Sequence, residues 1–388
     1  MATSPVVVVG AGAAGLAVAA ALRRRAVPFV VLERGDAVGA SWGSRYDSLH
    51  LHTARWLSGL PGAPIPKRYG QWVSRDDLIS YYAAYADRFD VRPELGVRVT
   101  RVDRDGADRQ GSGWRVETSA GPRDASAVVL ATGYCCEPFL PDWPGLDAFT
   151  SPVVHSSEYR EPSAYLGRRV LVVGAGNSAS EIAVELAGAG AEVLLAVRTP
   201  PNIFRRDTLG VPSQLVALGL KHAPDPVLNQ VGRVLRRVTV PDLAEHGLPA
   251  PGGEGFTQFL RTRTVPILDH GFVAAVRAGK VTVVAAVQAF DEGSVLLADG
   301  TSVAVDAVVA ATGFRPGLEP VVGHLGVLDD HGEPLAHNAE SLPQMPGLYF
   351  AGISITLAGQ LREIGRDAKA IGDALAPIAV RAQAAAGS

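Results

Sequence analysis

Val6-Val7-Val8-Val9-Gly10-Ala11-Gly12-Ala13-Ala14-Gly15 decides the fold of this 388-residue chain. Four β-branched residues in a row read as a parallel strand buried on both faces. Gly10 permits the tight turn that follows. Gly12 lets the backbone come close to a pyrophosphate, and Gly15 lets a helix pack tightly on the strand. The helix continues through Leu16, Val18 and Leu22, with its amide end toward the phosphates. Arg23, Arg24 and Arg25 fall in its last turn, where cations suit the helix dipole. Pro28 precedes a second strand, Phe29 to Leu32, that ends at Glu33. That acid stands 23 residues after Gly10, near the spacing of about 20 expected of a ribose-hydroxyl acceptor. Strand, turn, helix, strand and acid in register predict a dinucleotide site.

The stretch from Val6 to Leu22 carries no charge and could be mistaken for an export signal. Such a signal places its positive charge before the apolar core; here the arginines come after it. No stretch predicts a membrane span, and a cytoplasmic protein is the expectation.

The pattern recurs at Arg169 to Val173, which leads into Gly174-Ala175-Gly176-Asn177-Ser178-Ala179 and a helix through Ile182, Val184 and Leu186. Ala179 stands at the third glycine position and should widen the turn slightly. The following strand, Ala191 to Val197, ends at Arg198-Thr199 instead of an acid. A guanidinium there can hold an adenosine 2′-phosphate that a carboxylate would repel, so NADPH is expected over NADH. Arg205 and Arg206 are further candidates. Two dinucleotide sites of different preference are the layout of a flavoprotein that takes electrons from a nicotinamide.

Composition is consistent with that layout. The length suits two domains, and 47% apolar residues with 43 glycines suit an α/β chain rich in tight turns. A net charge of −3 suggests neither nucleic acid nor an acidic membrane surface as partner. Cys135 and Cys136 are adjacent, so neither a C-x-x-C dithiol nor a disulfide framework is expected. No Cys/His spacing suggests a metal.

Val97 to Val102 and Trp114 to Thr118 read as antiparallel strands. Ala127 to Ala131 reads as a buried strand ending in Ala131-Thr132-Gly133, and Ala307 to Ala311 as another ending in Ala311-Thr312-Gly313. Each A-T-G elbow lets the chain approach a cofactor closely, since glycine has no Cβ. The two bracket the second cradle. The expected fold is therefore α/β with two Rossmann-like domains, the NADPH domain (159–287) inserted into a discontinuous FAD domain (1–158 and 288–388). Residues 200–266 are expected to form a partly helical cap or lid. A strand from Leu348 to Ala351 leads to Gly352 and a last helix, about Gln360 to Leu375, whose N-terminus suits negative charge on a reduced flavin.

Phe149-x-Ser151-x-x-x-His155-x-x-x-Tyr159, just before the second cradle, resembles the signature of the flavin-containing monooxygenases, with Ser151 in place of a glycine. Val38-Gly39-Ala40-Ser41-Trp42 is similar to that family's flavin-contact segment. The stretches Tyr46 to Thr53, Val265 to Asp269 and Ala278 to Val281 look most like the YUCCA-type branch. The resemblance covers nearly the whole chain. It implies FAD, NADPH, molecular oxygen and a flavin C4a-hydroperoxide that oxygenates a small molecule. The chemistry implied is N- or S-oxygenation, or oxidative decarboxylation of an α-keto acid. Many amine- and sulfide-oxidising members carry an asparagine where this chain has His52, a feature the YUCCA-type enzymes share. Baeyer–Villiger members end the signature in Trp, not Tyr159. Baeyer–Villiger oxygenation and a flavin reductase without oxygen insertion are the alternatives.

His52 and His155 are the candidate catalytic residues. His52 could hydrogen-bond the oxygenated flavin or the nicotinamide, or fill the interior; His155 could serve a structural role and orient the nicotinamide. Arg34, Ser41, Trp42, Leu51, His52, Thr132 and Gly133 join the first cradle as candidate cofactor contacts, with Thr312, Gly313 and Gly352. His50 should face away from His52 if the segment is extended. Trp56, Trp72 and the Tyr81-Tyr82-Tyr85 cluster read as packing. A homodimer is compatible with the sequence but not dictated by it.

Overall fold

The structure, a computed structural model, describes residues 4–105, 113–208, 210–219, 223–250, 265–337, 340–353, 356 and 359–386. The chain divides into two compact units. The first comprises Met1–Ser44, Thr53–Glu137 and Phe314–Ser388; the second comprises Arg45–His52 and Pro138–Gly313.

The first unit is built on a four-stranded parallel sheet in the order Phe29–Leu32, Val6–Val9, Ala127–Leu130, Leu348–Phe350. Val6, Val7 and Val8 are wholly buried, as a strand covered on both faces requires. The Ala13–Arg23 helix follows, and its buried face is alanine-rich, so the C-terminal helix, Gln360–Ala386, packs closely against it. A second, antiparallel sheet holds Val99–Asp105, Gly113–Thr118 and Arg123–Ala125; residues 106–112, between its first two strands, lie outside the described residues. Trp114 from this sheet is buried in the core with Val128, Leu130 and Leu348, and its indole N–H donates to the Pro346 carbonyl at 3.2 Å.

The Arg75–Arg88 helix starts at Ser74, whose Oγ accepts the Asp77 N–H at 3.2 Å, an N-cap that satisfies one of the orphan donors. Tyr81, Tyr82 and Tyr85 are buried along it, which matches the packing expectation. Tyr81 Oη donates to the Ala63 carbonyl at 2.6 Å and accepts from Leu60 N–H at 2.7 Å. Trp56 differs: at 49% exposure it fills no core.

The second unit holds a five-stranded parallel sheet in the order Val281–Val284, Glu192–Ala196, Arg169–Val173, Ala307–Ala310, Val153–His155. This corrects the expected course of the chain. The Ala307–Ala310 strand does not return to the first sheet. It pairs with Arg169–Val173, putting Ala310 beside Val173, and Val153–His155 forms the sheet edge beyond it. The second unit is therefore wider than the expected 159–287, and it takes in both the signature segment and the second elbow. Between residues 200 and 250 lie the helices Ser213–Gly219 and Asp225–Thr239; residues 251–264 of the expected lid lie outside the described residues.

Candidate functional site

Each unit builds its glycine cradle in the same way. In the first, Gly10 N–H donates to Leu32 O at 2.7 Å and Ala131 N–H to Val9 O at 2.9 Å. In the second, Gly174 N–H donates to Ala196 O at 3.1 Å and Ala311 N–H to Val173 O at 2.8 Å. Each A-T-G elbow thus closes over the cradle of its own unit. A Cβ on Gly10 would lie 2.7 Å from Ala131 O, and one on Gly174 would lie 2.3 Å from Ala311 O. Both positions also take positive φ, +106° and +143°, so glycine is required twice over.

The cradles differ at the third position. A Cβ on Gly15 would stand 1.8 Å from Gly10 O. Ala179 carries a real methyl, and it is buried; the second turn makes room for it. The middle glycines are open in both. Nothing lies within 4 Å of a Cβ placed on Gly176, and only Ser41 Oγ, at 4.0 Å, meets one on Gly12.

Glu33 braces the first cradle, its carboxylate accepting Ala11 N–H at 2.6 Å and Gly35 N–H at 2.7 Å. Gly39 N–H donates to Ala11 O at 3.1 Å, which brings the short Ala40–Gly43 helix, with Ser41 and the half-buried Trp42, beside the turn. Arg34 is exposed and reaches the Cys136 carbonyl at 3.2 Å. Thr132 Oγ1 is buried with no partner among the described residues, and Gly133 beside it has φ +83°. Gly352 lies against the cradle helix: a Cβ there would be 2.8 Å from that of Ala14. Its N–H meets the buried Asp367 carboxylate at 3.3 Å, and its carbonyl accepts Gln360 Nε2 at 2.8 Å.

In the second unit Asn177 opens the cradle helix, Asn177–Gly188. Its side-chain amide donates to Pro266 O at 3.2 Å and accepts Leu268 N–H at 2.8 Å, so it ties down the Ile267–Asp269 strand. Arg198 is exposed just past the Glu192–Ala196 strand. Thr312 Oγ1 donates to the Phe139 carbonyl.

The signature residues are all fastened within this unit. Phe149 packs edge-on against Phe290, ring centres 5.0 Å apart. Ser151 Oγ donates to Val305 O at 3.0 Å. His155 is buried; its Nδ1 accepts the Ser157 N–H at 3.1 Å, so Nε2 carries the proton and donates to the Gly313 carbonyl at 3.0 Å. Burial holds the ring below the usual imidazole range, against the raising effect of the Gly313 bond. With both nitrogens engaged, His155 braces the elbow and has no lone pair to offer a reacting atom. Tyr159 is buried and donates to Glu185 Oε2 at 2.8 Å.

Sequence reasoning missed Glu181. On the cradle helix, one turn before Glu185, it gathers groups from two other stretches. His52 Nε2 lies 2.7 Å and His270 Nε2 3.0 Å from Glu181 Oε1, and the Tyr46 hydroxyl donates to Oε2. Leu51, next to His52, is buried, and both belong to the second unit. His50 turns the other way, exposed, with Nδ1 on Ser48 O at 2.7 Å. The only signal for Glu181 was an acid four residues before another in a helix with no other charge.

The sequence matches the flavin-binding monooxygenase-like family over residues 3–320. The chain belongs to that family. It is 33% identical over 350 residues to the probable indole-3-pyruvate monooxygenase YUCCA4 of Arabidopsis thaliana, covering 90% of this chain and 84% of that protein. The flavin-containing monooxygenase from Stenotrophomonas maltophilia superposes with a TM-score of 0.72 at 26% identity, covering 98% of this chain and 99% of that one. A steroid monooxygenase bound to NADP shares the fold at a TM-score of 0.74 and 21% identity, over 98% of this chain and 86% of that one.

The flavin-binding monooxygenase-like chain is thus an oxidoreductase that uses a flavin. Its first unit carries a dinucleotide cradle, and the flavin of dinucleotide form is FAD. The open face of Gly12 and the unpartnered Thr132 hydroxyl fit such a group. Among the described residues no helix is long and apolar enough to cross a membrane, and no group of acids, histidines and cysteines could hold a metal.

Proposed function

We propose that the protein is an FAD- and NADPH-dependent monooxygenase of a small organic acid, with FAD held by the first unit and NADPH by the second. FAD, when bound, supplies the redox and oxygen chemistry. Gly10, Gly12 and Gly15 admit its pyrophosphate, and Glu33 takes the ribose hydroxyls. Gly174 and Gly176 admit the second pyrophosphate, and Arg198 takes the 2′-phosphate. His155 holds the second elbow in place, and His52 contacts the reacting groups. The observation that carries this reading is the repeated cradle-and-elbow geometry, ending once in an acid and once in a base.

An α-keto acid is the substrate class to expect, because the curated relative matched over nine-tenths of the chain is named for indole-3-pyruvate. The reaction balances as keto acid, oxygen, NADPH and a proton giving the shortened carboxylic acid, carbon dioxide, water and NADP⁺. The C1–C2 bond breaks, one oxygen atom enters the acid, and the other leaves as water. The two unbridged thiols, Cys135 and Cys136, support a reducing cytoplasm as the place of work. A homodimer belongs to the same reading, with sedimentation as its test.

Labelled oxygen gas decides the matter. The FAD-loaded protein is incubated with NADPH and an aryl α-keto acid, an amine or a sulfide, and products are weighed by mass spectrometry. One labelled oxygen in the shortened acid is expected. Label in an N- or S-oxide instead would move the substrate class. NADPH consumption with hydrogen peroxide as sole product for every substrate would favour a reductase.

A further inference from the structure

Glu181 is held by everything packed against it. Its side chain is only 10% exposed. Tyr46 and His52 approach from the 45–52 stretch and His270 from the turn after the Ile267–Asp269 strand. The Arg206 guanidinium adds a nearby positive charge. Burial alone would raise the carboxyl; the pull of the His52 ring and hydrogen bonds from His270, His52 and Tyr46 outweigh it and hold the group well below the usual carboxylate range. Glu181 is therefore ionised, and an ionised carboxylate only accepts hydrogen bonds. Both imidazoles must donate to it from Nε2. A neutral imidazole has one N–H, so Nδ1 is then the nitrogen that bears the lone pair on each ring.

We propose that Glu181 is a positioning residue: it fixes His52 and His270 in the Nε2–H tautomer, with each Nδ1 left as an acceptor for bound cofactor or substrate. The proposal rests on the reading of His52 as the residue that contacts the reacting groups. One carboxylate orienting two rings accounts for a buried acid in a helix that otherwise serves the cradle. It also explains why the 45–52 stretch, flanked on both sides by the first unit, folds with the second: its Tyr46 and His52 are the donors that a buried carboxylate needs.

The test uses the FAD-loaded protein with ¹⁵N-labelled histidine, at a pH of about 9, above the usual imidazole range. Long-range proton–nitrogen spectra distinguish the tautomers, and His52→Gln and His270→Gln assign the two rings. Wild-type protein should show a protonated Nε2 and a bare Nδ1 on both. In Glu181→Gln a neutral amide, able to turn its NH₂ toward the rings, replaces the carboxylate oxygen that both rings share, so at least one ring should average between tautomers. Glu181→Asp keeps the carboxylate and should restore part of the wild-type pattern. Either ring as Nδ1–H in the wild type overturns the proposal, whatever the variants do; so does an unchanged pattern in a folded Glu181→Gln.

Coupling gives a second readout. Glu181→Gln and His52→Gln should each lower product formed per NADPH, by up to about 100-fold for a group displaced by about 1 Å. The double variant should be no worse than the poorer single, since the two residues act as one unit. Losses that multiply would refute the link. A wild-type enzyme that oxygenates nothing sinks the functional reading but leaves the tautomers measurable, so the two failures are distinguishable.

Discussion

Gly15→Ala and Gly12→Val should separate the fold of the first unit from its cofactor. A Cβ on Gly15 would stand 1.8 Å from the Gly10 carbonyl oxygen, a backbone atom that cannot rotate away. The helix must lift from the turn to make room. Overpacking of this kind costs about 1–3 kcal/mol, occasionally more, and a backbone clash this close belongs near about 3. At about 2–4 °C per kcal/mol for a domain of this size, flavin-free Gly15→Ala should melt about 6–12 °C below wild type. Gly12 is different. Its φ of −82° and ψ of −168° suit any residue, and the nearest atom to its Cβ is 4.0 Å away. Valine is a poor N-cap, at a cost of about 1 kcal/mol, or about 2–4 °C. The cofactor tells the opposite story. FAD at 100 times its dissociation constant stabilises by about 2.7 kcal/mol; Gly12→Val should lose that gain because its side chain enters the pyrophosphate path. Scanning calorimetry on stripped and FAD-saturated protein, with flavin occupancy by absorbance, reads both effects. Full FAD stabilisation of Gly12→Val would refute the cradle assignment. A wild-type melt for stripped Gly15→Ala would refute the close-approach argument.

Two further outcomes follow from the second unit. Arg198→Ala should lower the preference for NADPH over NADH by about 10- to 150-fold, the worth of a charge-assisted hydrogen bond; steady-state kinetics with both nucleotides checks it, and an unchanged ratio removes Arg198 from the site. His155 adds a pH dependence. Its folded pKa lies below the unfolded value of about 6.5, so the unfolded chain takes the proton first as pH falls. Its stabilising contribution is complete above about 6.5 and is lost below it, at no more than about 1.4 kcal/mol per pH unit. Urea midpoints at about pH 7.5 and 5.5 should differ less in His155→Gln than in wild type, and equal differences would contradict the burial argument.

The parts of this protein legible in its sequence are those written by local rules. Val6 to Gly15 and Val170 to Ala179 each state a strand, a turn and a helix start in ten residues, because glycine positions and β-branched runs carry the geometry themselves. Sheet membership is another matter. Ala307–Ala310 has the composition of either sheet, and only its register beside Val170–Val173 decides between them. The Glu181 cluster was illegible for the same reason: its donors stand 129 and 89 residues away from it along the chain, and no periodicity connects them. His155 shows a third case. Its position in a motif was readable, but its employment by Ser157 and Gly313 was not, since hydrogen-bond saturation depends on backbone brought from 158 residues away.

The short 45–52 stretch sets the rules for recombining this protein with its relatives. A graft of residues 138–313 looks like a clean cassette with two crossover points. It would leave Tyr46 and His52 behind, and the Glu181 carboxylate would arrive buried with its donors chosen by a foreign host. A chimera that exchanges the second unit must therefore use four breakpoints and carry the octapeptide along, or accept a destabilised graft. By the same dependence, a substitution at position 46 or 52 should cost less stability when position 181 is changed with it.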